Sequence, residues 1–451
     1  MRVVAIVAVT AGLSLAVGGG IGIAGHEGGF QTGKGTPAIG SAAAGLISQP
    51  RAATKIIRYD GYSLTVPAPW PVYRLGRRST RCVRYDKHAV YLGAPGINQL
   101  CPAHLAGRVA TLTLQPGAAG FPWQRSGARG GPGRMSMPQV GAGVSADTQD
   151  HELVASIRHP ALSVTATYSS APGQVLGIMH SVRRIAGQAR YGTAARGGAG
   201  HPETVAAARQ QPRPALPNPA TVRRHGFDSC TAPSVAVMRA WREVFSKAAI
   251  YIGGPEVACA TGHLSASWIR SVTRLGWGLM PSYVGPQASC SSYSVRINPK
   301  TAARQGRRAA ADAIRHASAL GIGRSSPIYY DIEAYDTSRK ACRHSALTFL
   351  DAWTRRLHAG GYISGVYSSA GSAAQQLASR TSIDGHRLAE PDTLWFALWN
   401  NKRNLDAEPY VPDSLWTGDH RIHQFLGPHK RTVNGYTLNI DSDWVHGAVY
   451  R

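Results

Sequence analysis

The sequence is poor in acidic residues: 24 Asp and Glu stand against 49 Lys and Arg, which gives a formal net charge of +25. It also lacks zinc-finger spacing, the aromatic pattern of RNA-recognition domains and a basic recognition helix. We therefore expect no nucleic-acid partner. An Arg-rich genome composition would explain the excess charge, and attraction to anionic envelope polymers is the functional alternative.

Cysteine is scarce and its spacing is uninformative for metals. The chain has six cysteines, with no C-x-x-C pair and no Cys/His cluster, so neither a zinc site nor any other metal or cofactor is predicted. An even count also argues against a free cysteine nucleophile. Two cysteines fall in the first half of the chain and four in the second, which predicts one disulfide and two disulfides, as in exported proteins. They are Cys82, Cys101, Cys230, Cys259, Cys290 and Cys342.

Long apolar runs are absent after the N-terminus. Residues 1–24 contain one Arg followed by a largely apolar stretch, which predicts a signal peptide cleaved after Gly22-Ile23-Ala24. The run is also long enough to remain as a membrane anchor, and that alternative stays open. Either way the protein is predicted to be secreted or associated with the cell envelope, with membrane contact only through this segment.

Composition divides the rest of the chain. Residues 25–54 are rich in Gly and Ala and are predicted to be flexible. Residues 55–187 contain short alternating runs broken by Pro and Gly, which predict a small β-rich domain of unknown role held by a Cys82–Cys101 disulfide. Residues 188–223 are rich in Pro, Ala and Arg and predict a disordered, semi-extended linker.

From residue 224 to residue 451, short apolar runs alternate with helical patterns. Alternating strands and helices predict an α/β fold with a parallel sheet. About eight strands in this length favour a closed, TIM-like (β/α)8 barrel. A doubly wound open sheet is the alternative, but no G-x-G-x-x-G follows the first strand to support a dinucleotide-binding fold.

Acidic residues follow the ends of three predicted strands. Asp228 ends the first strand, Asp331 and Glu333 end the fourth, and Asp441 and Asp443 end the last. The C-terminal strand ends of such a barrel meet at one mouth, where catalytic residues lie. Residues i and i+2 of a strand share a face, roughly 6.5 Å apart, so Asp331 and Glu333 are predicted to project together. Like charges at that distance favour a proton on one partner, which is the arrangement that glycoside hydrolysis uses.

Polar and aromatic residues near the strand ends are candidates for binding a sugar. Aromatic faces supply much of the contact area in substrate sites. We expect Tyr283, Tyr367 and Trp399 to line the mouth, and Gln424 to hydrogen-bond a substrate amide.

Six short segments carry a resemblance to a known family: "GFD", "YIGG", "PSYVG", "YYDIEAY", "GYISGVYSS" and "IDSDW". Residues 224–451 resemble the glycoside-hydrolase-like barrel family of uncharacterised secreted actinobacterial proteins, which is distantly similar to the family 25 (Chalaropsis-type) lysozymes. The resemblance implies a (β/α)8 barrel and a cell-wall glycan as partner. The implied reaction is muramidase-type cleavage of β-1,4 bonds between N-acetylmuramic acid and N-acetylglucosamine in peptidoglycan.

The resemblance also implies roles for four acids. Glu333 matches the general acid that protonates the glycosidic oxygen. Asp331 matches the carboxylate that positions a water or steadies a substrate acetamido group. Asp228 matches the acid that orders the cleft, and Asp441 matches the acid on the last strand.

One departure from the lysozymes is a cysteine two residues after the first acid. Cys230 is predicted to pair with Cys259, and Cys290 with Cys342, so both bridges border the cleft. The family name leaves catalysis open, because a fold does not fix a function. The alternative function is therefore a non-catalytic cell-envelope protein that binds glycan on a hydrolase scaffold.

Overall fold

The computed structural model describes residues 224–451 and residues 53–185, the latter except 77, 97–98, 104, 118–135, 149 and 159. The described residues belong to one compact unit. The predicted signal or anchor at 1–24, nearly all of the Gly/Ala-rich segment at 25–54 and the linker at 188–223 lie outside them. Within the described part of the chain, no helix is long and apolar enough to cross a membrane.

The N-terminal part is built of strands, as its alternating pattern predicts. A seven-stranded sheet has the order β3-β4-β5-β9-β8-β7-β6, and a three-stranded sheet has the order β1-β2-β10. The short helix α1 (Gly173–His180) packs beside them. The strands are β1 (Thr54–Tyr59), β2 (Tyr62–Pro67), β3 (Val72–Arg74), β4 (Val90–Leu92), β5 (Thr111–Pro116), β6 (Ser136–Met137), β7 (Ala142–Asp147), β8 (Glu152–Ile157), β9 (Leu162–Thr167) and β10 (Arg183–Arg184).

The C-terminal part is a closed barrel of eight strands in the order β11-β12-β13-β14-β15-β18-β19-β20. A two-stranded ribbon, β16 (Ser382–Ile383) with β17 (His386–Arg387), lies outside it. The barrel strands are β11 (His225–Asp228), β12 (Lys247–Gly253), β13 (Gly278–Tyr283), β14 (Pro327–Asp331), β15 (Ile363–Ser369), β18 (Thr393–Ala397), β19 (Arg421–Val433) and β20 (Tyr436–Val445).

Helices follow only the first five barrel strands among the described residues. They are α2 (Val235–Trp241), α3 (Ala266–Arg274), α4 (Ala302–Ala319), α5 (Lys340–Ala359) and α6 (Gln375–Ala378). The last two strands instead form a long hairpin, and β20 runs antiparallel to both β19 and β11. The closed barrel is thus confirmed and the open sheet is wrong, but the full (β/α)8 alternation is not confirmed.

The helices carry one apolar stripe each, as their sequence period predicts. On α4, Ala309, Ala313 and Ala317 are buried against the barrel, while Arg304 and Arg308 are exposed. Helices α2 and α3 begin at serines whose hydroxyls accept a backbone hydrogen bond within the first turn. These N-terminal caps fix where the loop from the preceding barrel strand enters each helix.

Apolar side chains pack on both sides of the barrel wall. Inside it, Met280, Tyr329, Trp395, Ile422 and Val445 pack into one cluster. Outside it, the opposite faces of the strands pack on the helices in a single large core. Because the interior cluster fills the barrel, the remaining inward positions near the strand ends are left for polar residues.

The N-terminal part docks on the loop that follows β12. The Tyr85 amide donates to the Ala258 carbonyl at 2.7 Å, and the Gly107 amide donates to the Glu256 carbonyl at 2.9 Å. The Cys82–Cys101 and Cys230–Cys259 disulfides pack against each other at this junction. All three predicted pairs are confirmed, including Cys290–Cys342, whose Cα atoms lie 5.6 Å apart.

Candidate active site

Two carboxylates face each other where the barrel closes. Asp228 on β11 is the register partner of Asp441 on β20, and both side chains are fully buried. Since β20 is antiparallel, Asp441 reaches the mouth from the middle of its strand and not from the C-terminal end that the sequence predicts. Asp443, one inward position further down, accepts a hydrogen bond from Trp395 Nε1 at 2.9 Å inside the barrel.

Gln424 on β19 connects this pair with two aromatic side chains. Its Nε2 donates to Asp228 Oδ2 at 2.8 Å and lies 3.5 Å from Asp441 Oδ2. Its Oε1 accepts from the Tyr367 hydroxyl at 3.2 Å and from Trp399 Nε1 at 2.9 Å. Trp399 is 61% exposed, so its ring lies at the rim while Gln424 is buried below it.

A second glutamine fixes the Asp-x-Glu segment at the end of β14. Gln287 is fully buried; its Nε2 donates to the Asp331 carbonyl at 2.9 Å, and its Oε1 accepts from the Glu333 amide at 2.8 Å. Ile332 between them packs in the outer core, as strand alternation predicts. Asp331 is buried, whereas Glu333 is partly exposed.

Two buried tyrosines border all the acids that the sequence singles out as catalytic. Burial raises the pKa of Tyr367 well above its ordinary value, and four carboxylates raise it further. The pKa of Tyr251 is likewise raised well above its ordinary value by burial and by three of the same carboxylates. Both phenols therefore stay protonated, and the Tyr251 hydroxyl donates to Asp228 Oδ1 at 3.5 Å. We call this set of four carboxylates the acid cluster: Asp228, Asp331, Glu333 and Asp441.

The sequence prediction for Tyr283 is wrong. Its hydroxyl donates to Asp312 Oδ2 at 2.7 Å, and its ring lies 5.9 Å from that of Trp353, between the sheet and the helices. Met280 faces the barrel interior, so the two-residue period turns Ser282 inward and Tyr283 outward. Of the other three predicted binding residues, Tyr367 and Gln424 lie inside the mouth and Trp399 lies at its rim.

Sequence reasoning missed several residues of this site. Tyr251 faces inward, because Ile250 and Ile252 on either side of it face the outer core; the sequence alone does not mark this, since both faces of β12 are buried. Gln287 lies in the loop after β13 and had no such signal. Tyr293, in the same loop, has its pKa raised first by burial and then by Glu333 and Asp331, which places it beside the acid cluster.

Asp147, Asp150 and His316 have the spacing of metal ligands, since their ligand atoms lie within 4.8 Å of one another. These groups already form ion pairs: His316 Nε2 lies 3.1 Å from Asp150 Oδ2, and Arg315 lies 3.4 Å from Asp147. The guanidinium groups of Arg315 and Arg108 lie beside these residues, so the three form a charge network between the N-terminal part and α4 and are not a good cation site.

One family model matches most of the barrel. The family model of the Rv2525c-like, glycoside hydrolase-like domain matches residues 239–445, which confirms the resemblance read from the sequence. No curated protein matches the chain.

Three solved structures are distantly similar. An uncharacterized B. stearothermophilus protein aligns with a TM-score of 0.34 and 16% identity, over 49% of this chain and 95% of its own. The modular autolysin LytC from Streptococcus pneumoniae has a TM-score of 0.31 and 13% identity, over 49% of this chain and 46% of LytC. The Clostridium perfringens spore cortex lytic enzyme SleM has a TM-score of 0.30 and 14% identity, over 45% of this chain and 60% of SleM. These likenesses are too distant to assign an activity.

Proposed function

We propose, from the match of residues 239–445 to the glycoside hydrolase-like domain, that this protein is a glycosidase of cell-wall peptidoglycan. The supporting observation is that carboxylates from three remote parts of the chain raise the pKa of the same two buried phenols: Asp228, Asp331 and Asp441 act on both, and Glu333 acts on Tyr367. Acids gathered around one hollow repel one another and cost stability, which is the usual mark of a site kept for chemistry. The substrate class comes from the sequence resemblance to the family 25 lysozymes.

In this proposal Glu333 is the general acid. It is the one member of the acid cluster that is partly exposed, so a glycosidic oxygen can reach it. Asp331, buried two residues before it, positions a water or steadies a substrate acetamido group. Gln287 hydrogen-bonds the backbone of both residues, which fixes where the two carboxyl groups lie for proton transfer.

Asp228 and Asp441 act as a buried anionic floor in this proposal. Their shared donor, Gln424, also bonds Tyr367 and Trp399, so the floor and the aromatic rim are connected through one amide. A positively charged, oxocarbenium-like transition state gains more from such fixed negative charge than the neutral substrate does. A sugar ring stacked on Trp399 would lie above this floor.

Three disulfides support a place outside the cytoplasm, because such bonds persist in oxidising compartments. We propose that the protein is secreted or envelope-associated.

The test is release of reducing ends from purified peptidoglycan by the full chain. Glu333→Gln removes the transferable proton while keeping the size of the side chain, and we expect a loss of activity of at least about 100-fold, the lower bound of what general acids typically contribute. Glu243→Gln, at an exposed position on the barrel surface, is the matched control and should keep full activity.

A non-catalytic glycan-binding role is the second candidate, favoured by the net charge of +25. It predicts that the wild type and Glu333→Gln bind peptidoglycan equally in a sedimentation assay while neither releases reducing ends. That result, obtained with well-folded protein on several wall preparations, would overturn the glycosidase proposal.

A further inference from the structure

A cavity lies on the N-terminal sheet and contains no member of the acid cluster. Its volume is about 790 Å³, and it opens beside β3 and β4. Its lining is basic and aromatic. We call it the basic cavity, and the residues that matter here are Tyr73, Arg78, Arg81, Lys87, His88 and Tyr91.

Three cations of the basic cavity have no acidic partner among the residues that the structure describes. Arg84 is paired with Asp86, whose Oδ1 lies 2.9 Å from the Arg84 Nε. Arg78, Arg81 and Lys87 are exposed, and the ion pairs of the described residues include none of them. Several unpaired cations around one concavity concentrate anions there.

The aromatic rings of the basic cavity are already covered. The Arg81 guanidinium lies 4.1 Å above the centre of the Tyr73 ring. Tyr91 is buried, and its hydroxyl accepts a hydrogen bond from the Arg84 amide at 3.1 Å. Sequence-independent binding of single-stranded nucleic acid uses open aromatic faces on which bases stack, and these two rings offer none.

The remaining wall is suited to hydroxyl and phosphate groups. His88 stacks on Trp70 at 5.2 Å, and its Nδ1 is bonded to the Ala110 carbonyl at 2.9 Å, so Nε2 is the ring nitrogen left for a ligand. Ser79 and Thr80 add hydroxyls to the same wall. Guanidinium and ammonium groups bind phosphate through short, charge-assisted hydrogen bonds.

We propose that the basic cavity binds a polyol-phosphate chain, in which anionic phosphodiesters alternate with hydroxylated carbons. The position fits a polymer ligand, because Cys82 and Arg84 of the cavity wall also contact the barrel. Arg84 pairs with Cys259 in an isolated β-bridge. The Cys82–Cys101 disulfide packs on Cys230, which lies two residues after Asp228. A chain held in the basic cavity is therefore bound next to the barrel mouth. This site goes beyond the glycosidase proposal and does not depend on it.

The test is calorimetric titration of the full chain, carrying Glu333→Gln to prevent turnover, with a glycerol-phosphate hexamer. The double variant Arg81→Ala/Lys87→Ala should bind at least 10-fold more weakly. The double variant Arg304→Ala/Arg308→Ala removes the same charge from the exposed face of α4 and should change the affinity less than 2-fold. Both double variants change exposed side chains, and circular dichroism checks that all the proteins fold.

Three further ligands separate the possible sources of binding. Inorganic phosphate should compete with the hexamer only at much higher concentration, and a neutral chitooligosaccharide should not compete. Equal weakening by the two double variants would show a net-charge effect and overturn the proposal. Single-stranded DNA that binds more tightly than the hexamer and depends on Arg81 would also overturn it, as would no binding at all. None of these outcomes depends on whether the wild-type protein cleaves peptidoglycan.

Discussion

At the residue scale, Gln424 is the point through which the buried acids and the aromatic rim meet. One amide serves Asp228 on its donor side and two ring donors, Tyr367 and Trp399, on its acceptor side. A side-chain amide has a separate donor group and acceptor group, whereas an ionised carboxylate could serve only the donors.

Replacing this glutamine tests the connection. Gln424→Leu should lower glycan binding or cleavage at least 10-fold and cost about 1–3 kcal/mol of unfolding free energy, because the buried Asp228 and Tyr367 lose a partner. The measurements are the affinity for a peptidoglycan fragment and the free energy of unfolding in urea.

The matched control is Gln376→Leu, at a buried glutamine on α6. It should alter stability without altering glycan affinity. Equal losses of affinity in the two variants would contradict a specific role for Gln424.

Sequence alternation correctly predicted that Ile332 turns into the outer core, because a strand has a two-residue period. The joint projection of Asp331 and Glu333 stays a prediction. Alternation failed for Tyr283, since the inward parity of β13 is set by Met280 and the sequence does not mark which of two apolar faces fills a barrel. Gln287 could not be predicted, because a loop residue has no period.

At the scale of elements, the last two strands decide the architecture. The segments of β19 and β20 are long, are joined by only a two-residue turn and have no helix between them, so the chain returns antiparallel. The sequence pattern predicts strands here, but the prediction of a parallel eighth strand is wrong. Asp441 nevertheless reaches the mouth, because reversing a strand that extends beyond the barrel brings its middle to the same level as Asp228.

Close packing inside the barrel gives a prediction for β15. A Cβ at Gly365 would overlap the ring of Tyr329, which is fully buried in the interior cluster. Gly365→Ala should therefore cost about 1–3 kcal/mol through overpacking, measured as a lower unfolding temperature.

Gly323→Ala is the control, because nothing lies within 4 Å of a Cβ at that position. Its unfolding temperature should stay close to that of the wild type. If Gly365→Ala were equally harmless, the interior would be looser than the structure shows.

At the scale of the whole molecule, a buried charge network fastens the N-terminal part to the barrel. Asp150 pairs with His316 at 3.1 Å and accepts from the Gly254 amide at 3.0 Å. Arg108 donates to the Val257 carbonyl at 3.1 Å from the other side. None of this was visible in the sequence, because the partners lie more than a hundred residues apart and belong to different sheets.

This network predicts that stability falls as pH rises. Burial alone would lower the pKa of His316, but Asp150 and Asp312 outweigh it and raise the pKa to about 9. Burial raises the pKa of Glu152 to about 8. Both groups bind their proton more tightly in the folded protein, so both stabilise it only while they are protonated. The contribution of His316 to the free energy of unfolding is complete below pH 6.5 and is lost as the pH rises through 9. The contribution of Glu152 is lost between pH 4.5 and pH 8.

Scanning calorimetry between pH 6 and pH 10 checks this. We expect a loss on the order of 1–3 kcal/mol across the range, seen as a drop of several degrees in unfolding temperature. His316→Gln should be less stable at pH 6 and should show a flatter profile. A wild-type profile that rises toward pH 9 would contradict the assignment.

The closure of the barrel also orders events during synthesis. Asp228 enters early and its register partner Asp441 enters more than two hundred residues later, so the hollow exists only once β20 has been made and inserted between β19 and β11. A chain that stops before β20 lacks Asp441 and the closed barrel. Any fragment without the final hairpin strand should therefore lack the proposed glycosidase activity.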